Sequence, residues 1–255
     1  MPFESFSFDP TVIIAITLAF FLGGYVKGAA SFGLPLVTVP LVSFVMPVPM
    51  AIAVAMMPIV TSNIFQAWQN WSARAVLRRV WPLYVAFAIT MTLTLQVMSL
   101  ARPVYLAVAM AVILEIYVIT QLLGFAFQVP GRRELGYLLG SGVVSGLTGG
   151  VTSFYGFPSV AVFLGMNLGR TGFSLAICTL FLVGSAVLYP GLAVIGALGT
   201  QELALSAFGI IPVLIGQILG RRFRDRISEK LFQFIVLGVL ACVGIAMLVR
   251  AFASL

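Results

Sequence analysis

The sequence has no histidine, two cysteines, and only 8% charged residues in a chain of 255. Without histidine, the commonest general base and the usual metal ligand are both missing, so neither hydrolase chemistry nor a metal centre is expected. Cys178 and Cys242 each lie inside an apolar run and read as small packing residues, not as a disulfide or metal framework. There is no ATP-binding motif, so energy for any work must come from a gradient or a separate partner. The first ten residues, MPFESFSFDP, carry Glu4 and Asp9 where a cleavable signal has a positive start, so the first apolar run is expected to be retained. No cofactor is implied.

What the chain does have is apolar surface. Hydrophobic residues make up 61% and the mean hydropathy is +1.15, against roughly 45–50% apolar and about 25% charged in a soluble domain. Runs at 11–26, 50–71, 81–99, 103–124, 173–195, 203–219 and 231–249 mostly reach the roughly 17–25 residues a spanning helix needs. No alternation with a period of two points to a barrel. The expected fold class is an all-α polytopic protein of the lipid bilayer.

A pI near 9.9 in a soluble protein would point to nucleic acid, but here the basic residues cluster in short loops, and topology explains them without a nucleic-acid partner. Arg74, Arg78 and Arg79 form one cluster, Arg132 and Arg133 a second, and Arg221, Arg222, Arg224, Arg226 and Lys230 a third. By the positive-inside rule all three face the cytoplasm, while the loop around Gln201 and Glu202 faces out. Trp68, Trp71 and Trp81 flank the first cluster, as an aromatic belt would. The expected location is the bacterial inner (plasma) membrane, multi-pass, with the N-terminus outside. Monomer and homodimer both remain open.

The chain also repeats itself. GYVKGAASFGLP at 24–35 returns as GVVSGLTGGVTSFYGFP at 142–158, with Gly24 and Gly28 matching Gly142 and Gly146, and Phe32-Gly33-Leu34-Pro35 matching Tyr155-Gly156-Phe157-Pro158. Residues 1–128 and 133–255 then read as two transmembrane repeats joined by a linker at 129–132. After each proline comes an apolar piece too short to cross as a straight helix, 35–46 and 158–168. If both pieces count as crossings, each repeat has five spans and all three basic loops fall on one side. Charge therefore favours about ten segments, eight long and two short and Gly/Pro-broken. An odd number per repeat makes the two copies inverted, a plan recurrent in secondary transporters whose binding sites lie at such interrupted segments.

Unpaired backbone groups are costly in hydrocarbon, so an unwound Gly/Pro segment survives only against protein or a water-filled cavity. Helix ends meeting there offer free N–H groups to an anion. The candidate substrate-binding residues of the two breaks are Ser31, Phe32, Gly33 and Pro35, and Thr148, Ser153, Tyr155, Gly156 and Pro158. The plainer alternative is that Gly24 and Gly28, and Gly142 and Gly146, simply let helices pack closely. Lys27 lies about 25 Å along a helix starting at Pro10, where it either snorkels to water or meets an anionic substrate. Its counterpart in the second copy is Ser145. Arg170 is either an inside-loop charge or part of the path. Asn63 and Gln66 share a helix face and either line a cavity or glue helices together. Glu115, alone in an apolar run, is a candidate for proton coupling, against a structural hydrogen bond or a pairing with Lys27.

GYVKGAASFGLPLVTVPLV, GVVSGLTGGVTSFYGFPSVAVFL and the following Arg170-Thr171 resemble the sulfite exporter TauE/SafE family of membrane permeases. The resemblance extends over nearly the whole chain through its duplicated plan, though the motifs occupy about forty residues. It departs in carrying Ala29-Ala30-Ser31 where many relatives have more glycines, which leaves the substrate open. The resemblance implies a transporter that exports a small sulfur-containing anion such as sulfite, sulfoacetate or another organosulfonate; the inverted halves add alternating access, and the missing histidine and lack of a nucleophile paired with a base argue against an enzyme. Protons or another ion would be coupled to the transport. A small-carboxylate transporter or an anion channel on the same scaffold is the alternative, since nothing in composition or spacing separates a sulfonate from a carboxylate.

Overall fold

The computed structural model describes residues 9–123, 128–194, 196–224 and 229–253. Glu4 and Arg226 lie outside them. Eleven α-helices account for most of the described chain, and no strand occurs among the described residues: α1 (Pro10–Ala30), α2 (Leu34–Val42), α3 (Val48–Val54), α4 (Met56–Gln69), α5 (Leu77–Leu100), α6 (Pro103–Leu122), α7 (Glu134–Thr152), α8 (Gly156–Gly165), α9 (Gly169–Val194), α10 (Thr200–Arg224) and α11 (Glu229–Ala253). Six of these, α1, α5, α6, α9, α10 and α11, are long and apolar enough to cross a membrane. The bent pair α3 and α4 makes up to seven. At 9 and 10 residues, α2 and α8 are about 13 and 15 Å long, short of a crossing by themselves.

Local chemistry sets the helix ends. Asp9 caps α1, its carboxylate accepting from the Thr11 N–H at 3.0 Å, and Pro10 follows where a missing N–H costs nothing. The helix stops at Ser31, whose φ of 71° is left-handed and whose N–H closes on the Lys27 carbonyl. Ser153 ends α7 in the same way, with φ of 62° and its N–H on the Gly149 carbonyl. Gly33, at φ of 100°, then starts α2 in a conformation that favours glycine. The apolar run at 50–71 reads as one span, but the structure bends it by 43° between α3 and α4. Pro58 cannot supply the ladder N–H there, and the nearby Met57 N–H is satisfied by Ser206 Oγ at 2.8 Å.

The paired glycines do pack helices. The helix continues through Gly24 and Gly28, and breaks only after Ala30. A Cβ at Gly28 would stand 2.2 Å from the Gln217 carbonyl oxygen, and one at Gly24 2.3 Å from that of Val213, so α1 and α10 touch backbone to backbone. Gly142, Gly146 and Gly150 give α7 the same approach to Leu83, Phe87 and Thr94 of α5. Close packing is thus the role of these glycines in the fold.

The same contacts fix helix directions. Residue numbers rise together along α1 and α10, α5 and α7, and α5 and α9, where Val76, just before α5, meets Gly172 and Leu95 meets Gly191. Lys27 bonds Asn63, and Gln66 bonds Ser31, so α1 and α4 are parallel too. By contrast, Asn70, which caps the end of α4, reaches Ser174 of α9 while Met56 shares a cavity with Tyr189, which makes α4 and α9 antiparallel. Helices α1, α4 and α10 therefore run one way and α5, α7 and α9 the other.

Arg79 forms a two-point ion pair with Glu134 at 2.7 and 2.6 Å, and Arg221 donates to Gln69 Oε1 at 3.0 Å. These bonds bring the basic segments at 74–79, 132–133 and 221–222 to one end of the bundle. Trp68, Trp71 and Trp81 are exposed near that end. Rows of exposed apolar residues on α5, α6 and α11, including Ile89, Leu93, Ile116, Ile119, Ile245 and Val249, form an outer surface suited to hydrocarbon.

Candidate functional site

At the basic end, the last turns of α1, α4 and α10 meet the first turn of α9 around a cavity of about 320 Å³. Lys27, Gly28 and Ser31 come from α1, Gln66 and Asn70 from the α4 end, Arg170, Thr171 and Ser174 from α9, and Arg221 from α10. Three cations line it, and no acid does among the described residues. Lys27 and Arg221 sit at the carbonyl ends of their helices, where a positive charge is favoured, while α9 presents its N–H end.

Lys27 is the deepest of the three, only 3% exposed. Its ammonium donates to Ser62 Oγ at 3.0 Å and to Asn63 Oδ1 at 2.6 Å, both neutral. Asn63 is itself oriented by donating from Nδ2 to the Ile59 carbonyl at 2.7 Å, which leaves Oδ1 to face the ammonium. Two of the three ammonium hydrogens are thus used, and no carboxylate among the described residues pairs with the charge. The expected alternatives of snorkelling and of pairing with Glu115 do not describe this geometry. A charge held out of water by neutral groups alone is costly.

Around it the amides are tied together. Gln66 Nε2 donates to the Ser31 carbonyl and to Ser174 Oγ, both at 2.8 Å, and Asn70 Nδ2 reaches the same Ser174 Oγ at 3.2 Å. The first break is therefore stitched to α4 and α9. Arg221 lies over the Phe65 ring at 5.9 Å while holding Gln69, which aims its guanidinium across the mouth.

Of the sequence-predicted site residues, Lys27, Ser31, Gln66 and Arg170 line this cavity, and Asn63 stands directly behind Lys27. Phe32 packs edge-on against Phe173 of α9 at 6.3 Å, and Gly33 and Pro35 lead into the buried α2. The second break is not brought here. Tyr155 is buried between Phe87 and Phe181 at 5.1 and 5.2 Å, and Gly156 lies beside Phe181. Thr148 turns its hydroxyl back onto the Val144 and Ser145 carbonyls, Ser153 is buried, and Pro158 sits half-buried in α8. Because α7 runs opposite to α1, its C-terminal break points toward the other end of the bundle. Ser145, the counterpart of Lys27, shares a hydrogen bond with Ser159 at 2.8 Å. Glu115 is also elsewhere, with Oε1 buried in the space left by Gly244 of α11.

Asn70, Thr171, Ser174 and Arg221 complete the cavity, though sequence reading did not single them out as site residues. Asn70 lies four residues beyond Gln66, and Ser174 four beyond Arg170, so helical spacing carried a signal for both. Arg221 carried none beyond its place in a basic loop. Two further cavities are largely apolar, one of about 390 Å³ at the opposite end around Phe44, Val48, Met247 and Arg250, and one of about 300 Å³ between α4 and α9 around Val60, Leu182 and Tyr189.

Residues 16–247 match the family model described as Sulfite exporter TauE/SafE. No curated protein and no solved structure matches the chain.

Proposed function

The chain belongs to the sulfite exporter TauE/SafE family, and on that premise we propose that it is a secondary transporter moving a small sulfur-containing anion, such as sulfite, sulfoacetate or another organosulfonate, out of the cell. The observation that carries this reading is the cavity itself: Lys27, Arg170 and Arg221 converge on one space without an acid among the described residues. Such a site attracts an oxyanion by charge, and it orients one through the remaining Lys27 hydrogen, the two guanidinium forks and the hydroxyl of Ser174. At about 320 Å³ it lies at the small end of the roughly 300–1,000 Å³ typical of small-molecule sites.

The proposed mechanism is alternating access between two inverted five-segment repeats, α1 to α6 and α7 to α11, with α3 and α4 as one bent segment. Reciprocal packing supports this: the first helix of each repeat lies along the fourth segment of the other, α1 on α10 and α7 on α5. The opposite directions of α1 and α7 and the shared left-handed serine at each break support it further. With the basic end in the cytoplasm of a bacterial inner membrane, the cavity opens inward and the N-terminus lies outside. The family is one of transporters, and the cavity is given a binding role. We assign the coupling-proton role to Glu115 because it is an acid in the interior of an apolar spanning helix, away from its ends.

Counterflow in proteoliposomes tests the proposal. Preloaded sulfite or sulfoacetate is expected to drive saturable uptake of the labelled species, with acetate and succinate competing weakly. Unsaturable flux would point to a channel, and stronger competition by the carboxylates to the alternative substrate class. Absence of transport and binding for both classes would end the transporter reading.

A further inference from the structure

Resting on the anion-transport reading above, we propose that Gln69 is a positioning residue of the cavity, holding Arg221 in place for an anion without neutralising its charge, and that α4 serves the whole site in this way.

The C-terminal half of α4 and its cap carry Asn63, Gln66, Gln69 and Asn70. At about 100° per residue these amides fall within about 120° of one another, so one face of the helix presents them all. Together they reach every helix that lines the cavity. Asn63 Oδ1 accepts from Lys27 of α1 at 2.6 Å. Gln66 Nε2 donates to the Ser31 carbonyl and to Ser174 Oγ of α9, and Asn70 Nδ2 shares that Ser174 oxygen. Gln69 Oε1 accepts from Arg221 Nη2 of α10 at 3.0 Å. An ammonium and a guanidinium only donate, so the amide atom that faces each cation is the carbonyl oxygen.

Holding the cation beforehand matters for binding. A free arginine samples many rotamers, and a ligand that must arrest one such side chain loses about two- to tenfold in affinity. Arg221 is already arrested from two points of α4, by Gln69 and by the Phe65 ring one turn earlier, 5.9 Å from the guanidinium. The neutrality of the holder matters equally. A carboxylate at position 69 would fix the guanidinium as firmly but would cancel its charge toward a ligand. Both kinds of holder occur at this end of the bundle. Arg79, which does not line the cavity, is paired with the Glu134 carboxylate at 2.6 Å, whereas Lys27 and Arg221, which do line it, rest on neutral oxygens.

Gln69 is exposed, so its variants leave the core intact. The test is isothermal titration of sulfite into the purified full chain at several salt concentrations, beside a thermal melt. Gln69→Leu frees Arg221 but keeps its charge, so affinity should fall about two- to tenfold with the salt dependence unchanged. Gln69→Glu keeps the side chain held but neutralises it, so affinity should fall by about tenfold or more and depend less steeply on salt. In both, the melting temperature should stay within about 5 °C of the parent. Parent-like affinity in Gln69→Leu overturns the proposal, as does an unchanged salt dependence in Gln69→Glu. If the parent neither binds sulfite nor shows counterflow of labelled sulfite or sulfoacetate, the transport reading fails and this proposal with it. Binding and counterflow in the parent, with both variants indistinguishable from it, remove only the role of Gln69.

Discussion

Replacing Lys27 by methionine separates a binding charge from a structural one. Methionine keeps the length of the stem inside α1 and removes the ammonium that now rests on Ser62 at 3.0 Å and Asn63 at 2.6 Å. For the empty protein two effects oppose each other. Removing a buried charge that has only neutral partners gains about 1–4 kcal/mol, by analogy with apolar replacement of buried ion pairs. Leaving Asn63 Oδ1 without its donor costs about 1–3 kcal/mol. The net effect is near zero, so the melting temperature in detergent should move by less than about 5 °C. For the bound anion there is no such balance. Losing one partner of a buried charge pair costs roughly 2–5 kcal/mol, a fall in affinity of at least about 30-fold. The assay is titration with sulfite or sulfoacetate beside a thermal melt of the same preparation. Affinity within threefold of the parent would refute the reasoning and leave Lys27 as a helix-packing residue. A collapse in melting temperature would show that the ammonium holds α1 to α4, contrary to the balance above.

Two further outcomes follow from the packing. Gly28→Val should prevent α1 and α10 from closing, because even its Cβ would meet the Gln217 backbone oxygen at 2.2 Å, with a cost above about 1–3 kcal/mol and a drop in folded yield. Gly136→Ala, on an open face of α7, should be neutral or stabilising by up to about 1 kcal/mol, measured by the same melt. In Glu115→Gln, accumulation driven by a proton gradient should be lost while counterflow at equal pH on both sides persists. Unchanged gradient-driven accumulation would remove Glu115 from coupling.

The membrane class was legible in the sequence because hydropathy adds up locally along a run and needs no partner. The chain breaks were legible nearly to the residue for a related reason: Gly33-Leu34-Pro35 and Gly156-Phe157-Pro158 impose backbone restrictions on their own neighbours. The grouping of the basic clusters at one end followed from charge alone. The role of Gly24 and Gly28 was less legible, since a glycine pair that unwinds a helix and one that packs it look identical until the facing surface is known. Here that surface is the backbone of α10, nearly two hundred residues away in the chain.

Composition, the positions of the six long apolar helices and the two breaks were thus legible in the sequence itself, through interactions between near neighbours, whereas the bend within 50–71 was not. Only the tertiary structure decided which polar groups share a space. It placed Arg221 and Ser174 beside Lys27 and Gln66, and it buried Tyr155 among aromatic rings, although the repeat made Tyr155 look equivalent to the first break. The physical reason is direction. Parallel packing of α1 with α10 and antiparallel packing of α4 with α9 gather one set of helix ends, and no local signal in the sequence records which ends those will be.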